Sequence, residues 1–299
     1  MNPVICIAGP TASGKSAWAL SVAKKYKGEI INADAMQVYS DLQIISARPT
    51  IADMEDVPHH LFGHIDGSER YSVGKWLEEA VPIILDVLAR GKLPILTGGT
   101  GLYFKALTEG LASVPKISTE KAAIFLDVNG IKALRVKAEA LDPVAASRVL
   151  GNDPQRLIRI VSVAEETGQP LSVWQQNTKA VVPKSYWLGA VLTPDRAALY
   201  ERINARFDIM MANGGIDEVK RLMQRGLAAD LPVMRAIGVS QFVNSEDSIQ
   251  KAIEYCKRDT RRFAKRQYTW FRGQAKQWCF TENFSAKQRF EEKITKFMD

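Results

Sequence analysis

Directly after the apolar run VICIA, residues 4–8, the chain reads GPTASGKS, residues 9–16, a match to G-x-x-x-x-G-K-[ST]. This pattern ties a buried strand to the first turn of a helix through a glycine-bearing loop. In such a loop Gly9, Pro10, Thr11, Ala12, Ser13 and Gly14 bend the backbone so that N–H groups and the helix N-terminus face a phosphate. Lys15 adds a positive charge, and the Ser16 hydroxyl can ligate Mg2+. The spacing identifies a phosphate cradle but not its occupant, which could be the tail of ATP or another phosphate compound.

The flanking sequence continues the strand and helix alternation that such a loop requires. PVICIAG, GEIINAD and KLPILTGG read as strands, separated by helical stretches from about Lys15 to Lys27 and from about Lys75 to Arg90. Alternation of this kind predicts a parallel sheet covered by helices, with ligands gathered at the carboxyl ends of the strands. GPTASGKS, NADAMQVY and GGTGLYF all stand at those ends. From about Ser113 to Ser185 the pattern changes to successive short helices opened by Thr or Asp-Pro signals. SYWLGAVLTP then reads as a further strand, followed by a helix from Asp195 through Met211. The expected α/β architecture is therefore a P-loop NTPase-like parallel sheet flanked by helices, built from residues 1–112 and 186–299, with an inserted all-helical domain over 113–185. Pro82, inside a helical stretch, conflicts with a regular helix there.

With 299 residues and 46% hydrophobic composition, the chain can bury a sizeable core without disulfides or structural metal. Cys6, Cys256 and Cys279 are far apart and form no C-x-x-C, which fits a reducing cytoplasm. No basic segment followed by an apolar core opens the chain, and no 18-residue apolar run occurs, so neither export nor a membrane partner is expected. The net charge of +7 suits a polyanionic partner. His59, His60 and His64 fall within PHHLFGH, but Pro58 and Gly63 disfavour the helix that an i, i+4 metal pair needs, so loop histidines are expected.

Asp34 ends an apolar strand, where a carboxylate could hold Mg2+, accept a proton, or simply cap a following helix. Thr100, in GGTGLY, offers a hydroxyl beside glycines that permit close backbone approach, or else marks only a tight turn. Near the C-terminus, eight Lys or Arg stand between Lys257 and Lys276 against one acid, Asp259. Arg258, Arg261, Arg262 and Lys265 share one helical face, with Phe263, Trp270 and Phe271 available to pack or stack. Such a stripe suits a phosphate backbone, or else a solvated helix over core aromatics. KLPILTGGT lacks the terminal Asp of a Walker B strand, which argues against an ATPase motor but leaves a small-molecule kinase open.

In order along the chain, GPTASGKS, NADAMQVYSDLQI, PHHL, GGTGLYFKAL, NDPQRLIR, TGQPLS, ERINARFDIMMANGGIDEVKRL, AIGVSQF and RRFAKRQYTWFR together resemble the tRNA dimethylallyltransferases, from Pro3 to about Arg272. IISARP, residues 44–49, departs from the family's IGTAKP: Ile45 stands for a glycine, Ser46 for a threonine and Arg48 for a lysine.

The resemblance implies transfer of a dimethylallyl group from dimethylallyl diphosphate to N6 of adenosine 37, beside the tRNA anticodon, with diphosphate released. It implies that Gly9 to Ser16 bind the diphosphate with Mg2+ on Ser16. It further implies that Asp34 is the catalytic base, that Thr100 positions the reacting groups, and that Arg206 rather than Arg202 neutralises the leaving group. Asp34, Ala35, Met36, Gln37 and Thr100 would meet the tRNA, as would Gln155, Arg156, Leu157, Ile158 and Arg159. The basic helix, through Arg261, Arg262 and Lys265, would grip the anticodon stem. Nothing in the pattern demands more than a monomer. A nucleoside or nucleotide kinase, or a non-catalytic RNA-binding switch, would use the same loop without this set of partners.

Overall fold

Six strands can all be parallel only if helices cover both faces of the sheet, and the strand sequences are apolar enough for that burial. A computed structural model describes residues 2–243 and 248–298. Its strands are β1 (Val4–Ala8), β2 (Gly28–Asn32), β3 (His59–His60), β4 (Leu93–Gly98), β5 (Trp187–Leu192) and β6 (Cys279–Thr281), in the order β3-β2-β4-β1-β5-β6. Every pairing is parallel.

Successive residues of β1 point to opposite faces, which gives the sheet two cores. Cys6 and Ala8 pack with Ile31, Trp76, Leu96, Phe104 and Phe271 on one face. Ile5 and Ile7 pack with Trp18, Val22, Ile30, Ile95 and Phe290 on the other. The register places Ala8 opposite both Gly98 and Val191, and Asn32 opposite Thr97. The loops that follow β1, β2 and β4 therefore leave the sheet along one edge. Because β1 lies between β4 and β5, the strand order reverses beside the phosphate loop, where parallel sheets open a crevice.

The short strands β3 and β6 and the C-terminal helix Phe284–Met298 lie outside what the sequence pattern suggested. His59 and His60 are not loop residues: they form the edge strand β3, paired with Ile30 and Ile31. The helix Val73–Ala89 runs through Pro82. Pro82 and Glu78 are both exposed, so the Glu78 carbonyl that loses its donor can be hydrated, while Trp76, Ala80, Ile84 and Val87 bury the opposite face.

The helical insertion spans Glu109–Val181 rather than 113–185, and the rest of the described chain forms the other unit. Within Glu120–Leu141, Gly130 leaves the helical conformation at a φ of 78°, so a kink divides this stretch into two successive helices, as the sequence pattern suggested. Asp142 and Asp153 cap the next two helices, Pro143–Ser147 and Pro154–Thr167, accepting from Ala145 N at 2.9 Å and Arg156 N at 3.1 Å, each ahead of a proline in the first turn. Ala122, Leu134, Ala138, Leu157, Ile160 and Val161 form the core of this unit.

Candidate active site

In the loop after β1, Gly14 adopts a left-handed φ of 88° and leads into the helix Lys15–Tyr26. The first-turn amides of that helix have no intrahelical acceptor and are the natural phosphate donors. Two loop residues have other tasks. Pro10 has no N–H, and its carbonyl accepts from Ser13 N at 3.2 Å and Lys15 Nζ at 3.5 Å. The Thr11 amide donates to Gln267 Oε1 at 2.9 Å, which removes it from the donor set. The Ser13 hydroxyl is buried without a hydrogen-bond partner among the described residues.

Asp34 caps no helix, since none follows it. Its Oδ1 accepts from Met36 N at 3.0 Å in an Asx turn, and among the described residues its Oδ2 has no hydrogen-bond partner. Thr100, one strand over, accepts from Ala35 N at 2.9 Å through its hydroxyl oxygen, while its own N–H donates to Ala33 O at 3.2 Å. The two motifs are thus fastened together, with the Thr100 hydroxyl hydrogen left for another acceptor.

Asp34, Thr100, Thr11 and Arg206 line one cavity of about 550 Å3. Its remaining wall is mostly apolar, with Met36, Leu42, Ile45, Phe207, Met210 and Trp270 prominent, and Arg235 and Arg266 add further positive charge. Arg206 donates to the Thr11 hydroxyl. Desolvation lowers its guanidinium pKa while Asp34 opposes that shift. Desolvation likewise brings the Lys15 ammonium down to about 8, with Asp34 raising it and Arg206 lowering it further. Two cations crowded against one carboxylate form a site short of negative charge, as a binding site for a polyanion should be.

Other sequence-predicted residues are placed differently. Gln37 donates both amide hydrogens to the carbonyls of Ser46 and Ala47, at 3.0 and 2.9 Å, so only its Oε1 is left to meet RNA. Leu157 cannot offer its side chain to tRNA, because it is fully buried in the core of the helical unit; Ile158 is partly buried against the same core. Gln155 and Arg156 are exposed, with Arg156 3.5 Å from Asp153, and burial lowers the pKa of Arg159.

On the basic helix, Ile249–Gln274, Arg261 is half-buried and donates to Asn204 Oδ1 at 2.6 Å, so it ties two helices together. Arg262 and Lys265 are exposed. Phe263, Trp270 and Phe271 all line the cavity, with Phe271 buried in the core and Trp270 packed against it. Arg202 is exposed and donates to Ala198 O, away from the cavity lining. The histidines are held by Val57 O, Glu29 and Glu79, each at 2.8 Å.

The departures in IISARP are absorbed locally. Ile45 packs against Gly238, whose φ of +99° and close approach leave no room for a side chain. Arg48 lies over Gly63 and donates to Ser40 O at 3.2 Å; it does not line the cavity.

Three supporting residues lie inside the resemblance motifs without having been singled out there. Asn32 is fully buried behind Asp34. Glu218 accepts the amides of Gln43, Ile44 and Ile45 at 2.8, 2.8 and 2.9 Å. Gln267 spans the phosphate loop and Gly99. For Asn32, a polar residue ending the apolar strand β2 was the available clue; Glu218 and Gln267 stand among other charged and polar residues and offered none.

The IPP transferase family model matches residues 37–274, and an isopentenyl transferase model matches residues 2–61. The chain is 51% identical over 284 residues to the tRNA dimethylallyltransferase of Maricaulis maris (strain MCS10), covering 93% of this chain and 92% of that relative. It is 44% identical over 281 residues to the tRNA dimethylallyltransferase of Caulobacter sp. (strain K31), covering 92% and 91%. Among solved structures, the full-length tRNA isopentenylpyrophosphate transferase from Bacillus halodurans superimposes with a TM-score of 0.72 at 33% identity, over 100% of this chain and 97% of that one. A eukaryotic dimethylallyltransferase described as acting on tRNA gives a TM-score of 0.79 at 30% identity, over 91% and 70%. Among the described residues, no helix is long and apolar enough to cross a membrane.

Proposed function

This chain belongs to the IPP transferase family, and from that membership we propose that it transfers a dimethylallyl group from dimethylallyl diphosphate to N6 of adenosine 37 in tRNA. The observation that carries the residue assignment is the single cavity in which Thr11 and Arg206 of the phosphate side meet Asp34 and Thr100. Its apolar wall suits a five-carbon prenyl group, and its cations suit the diphosphate attached to it.

As the bond between C1 and the diphosphate oxygen breaks, its electron pair stays on the oxygen. Lys15, the first-turn amides and Arg206 stabilise that charge where it grows. The exposed Ser16 hydroxyl fits Mg2+ held chiefly by substrate phosphates and water, since the described residues offer no cluster of three His, Cys, Asp or Glu side chains. Bound there, Mg2+ would neutralise part of the diphosphate charge.

The exocyclic amine of adenine is a weak nucleophile, and its proton becomes acidic only as the N–C bond forms. Asp34 Oδ2, without a hydrogen-bond partner among the described residues, would accept that proton late, while the Thr100 hydroxyl would orient the reacting groups. A stacked adenine cannot reach a sheet edge, so it enters flipped out of the anticodon loop. Arg262 and Lys265 then contact the stem, and Gln155, Arg156 and Arg159 offer the helical unit's polar contacts.

Three free cysteines suit the reducing cytoplasm. Family membership sets aside the kinase reading. The test is incubation with Mg2+, unmodified tRNA and either labelled dimethylallyl diphosphate or labelled ATP. Label entering tRNA only from the prenyl donor supports the proposal, and phosphate transfer from ATP overturns it.

A further inference from the structure

Gln267 is buried, with 6% of its surface exposed, in the middle of the basic helix. Its carboxamide bridges the loops after β1 and β4: Oε1 accepts from Thr11 N and Nε2 donates to Gly99 O, both at 2.9 Å. The fit is tight, since a Cβ on Gly99 would stand 2.1 Å from Nε2. The bridge also extends on both sides. Thr11 receives Arg206 on its hydroxyl, and Thr100, next to Gly99, receives the amide of Ala35, next to Asp34. A continuous hydrogen-bonded path thus runs Arg206, Thr11, Gln267, Gly99 and Thr100, then Ala35 and Asp34. One end faces the departing diphosphate and the other faces the attacking amine.

We propose that Gln267 is a positioning residue that fixes the spacing between the donor side and the acceptor side of the cavity. Displacement at nitrogen needs the amine and C1 in line and about 3–3.5 Å apart, and misplacement by about 1 Å costs about 100-fold in rate. A carboxamide suits this position because its oxygen accepts from an amide while its nitrogen donates to a carbonyl across one short span. Carboxylate in its place would face the Gly99 carbonyl with a second acceptor. The inference rests on the transfer reading above.

The test measures Gln267→Met, which keeps the volume but lacks both hydrogen bonds, and Gly99→Ala, which displaces the carboxamide without removing it. Three quantities are compared with wild type: the single-turnover transfer rate with both substrates saturating, the Kd values for inorganic diphosphate and for unmodified tRNA, and the melting temperature. Both variants are expected to slow single turnover by about 10- to 100-fold while both Kd values change by no more than about three-fold. Combined, their rate effects should fall short of the product of the singles, because each breaks the same bridge. Single-turnover rates within about two-fold of wild type, or a loss seen wholly in Kd, would overturn the inference. Should Gln267→Met not fold, Gly99→Ala decides on the same readouts. A wild-type protein that transfers no prenyl group defeats the transfer reading instead, which keeps the two failures distinct.

Discussion

Asn32 holds Asp34 by both of its backbone groups: Oδ1 accepts the Asp34 N–H at 2.9 Å, and Nδ2 donates to the Asp34 carbonyl at 3.0 Å. The same Nδ2 also donates to Leu61 O at 2.9 Å, and the Asn32 carbonyl accepts from Trp76 Nε1 at 2.8 Å. The carboxylate is therefore aimed by a bracket anchored in the core. Asp34→Ala should lower turnover by about 100- to 10,000-fold with tRNA affinity retained, as expected for a general base. Asn32→Ala should lower both turnover and stability, the latter by about 1–3 kcal/mol for the stranded buried groups. Steady-state transfer assays and thermal unfolding of the two variants separate these outcomes.

Lys15 predicts a pH dependence. Its ammonium is pulled from 10.5 to about 8 in the ligand-free fold. The unfolded chain thus holds this proton more tightly than the native one, so the Lys15 contribution to stability rises with pH between about 8 and 10.5. Bound diphosphate favours the charged form and draws the proton back. The affinity advantage of wild type over Lys15→Met for inorganic diphosphate should accordingly shrink as the pH passes through about 8. Calorimetric titrations of both proteins across that range check the sign.

The basic helix divides by side-chain direction. Arg262 and Lys265 are exposed, while Arg261 is spent on Asn204. Arg262→Gln and Lys265→Gln should each weaken tRNA binding and reduce the slope of log Kd against log salt by about 1. Arg261→Gln should chiefly lower the melting temperature. Binding isotherms at several salt concentrations distinguish a phosphate contact from a structural tie.

Glu218 predicts a loop effect. Its carboxylate accepts three consecutive amides, from Gln43 to Ile45, and so sets the wall of the cavity that carries Ile45. Glu218→Gln turns one acceptor into a donor facing N–H groups and should cost about 1–3 kcal/mol. Urea unfolding gives the magnitude, and hydrogen exchange at residues 43–45 should accelerate locally.

The central sheet was legible because its long strands are apolar runs, three of which end in a motif, and a phosphate loop admits few surroundings. Strand β3, with only two residues, and β6, with three, were not, because strands that short carry no periodic signal. Asp34 and Thr100 were legible as polar groups at strand ends, Arg206 was reached through resemblance, and the cavity brings the three together. Leu157 was readable as core, since it shares an i, i+3, i+4 stripe with Ile160 and Val161 that the family motif obscured. Arg261 and Gln267 were not separable from their neighbours, because a charge stripe does not say which side chain finds a partner on another helix.

The central claim is that one cavity brings a prenyl diphosphate to the amine of a flipped adenine. Nucleoside mass spectrometry of unmodified tRNA, after incubation with the protein, Mg2+ and dimethylallyl diphosphate, tests it most directly. The account predicts that the adenosine at position 37 gains one dimethylallyl group at N6, and that Asp34→Ala abolishes this gain within the same incubation. An unchanged adenosine, or a prenyl group on another nucleoside, would contradict it.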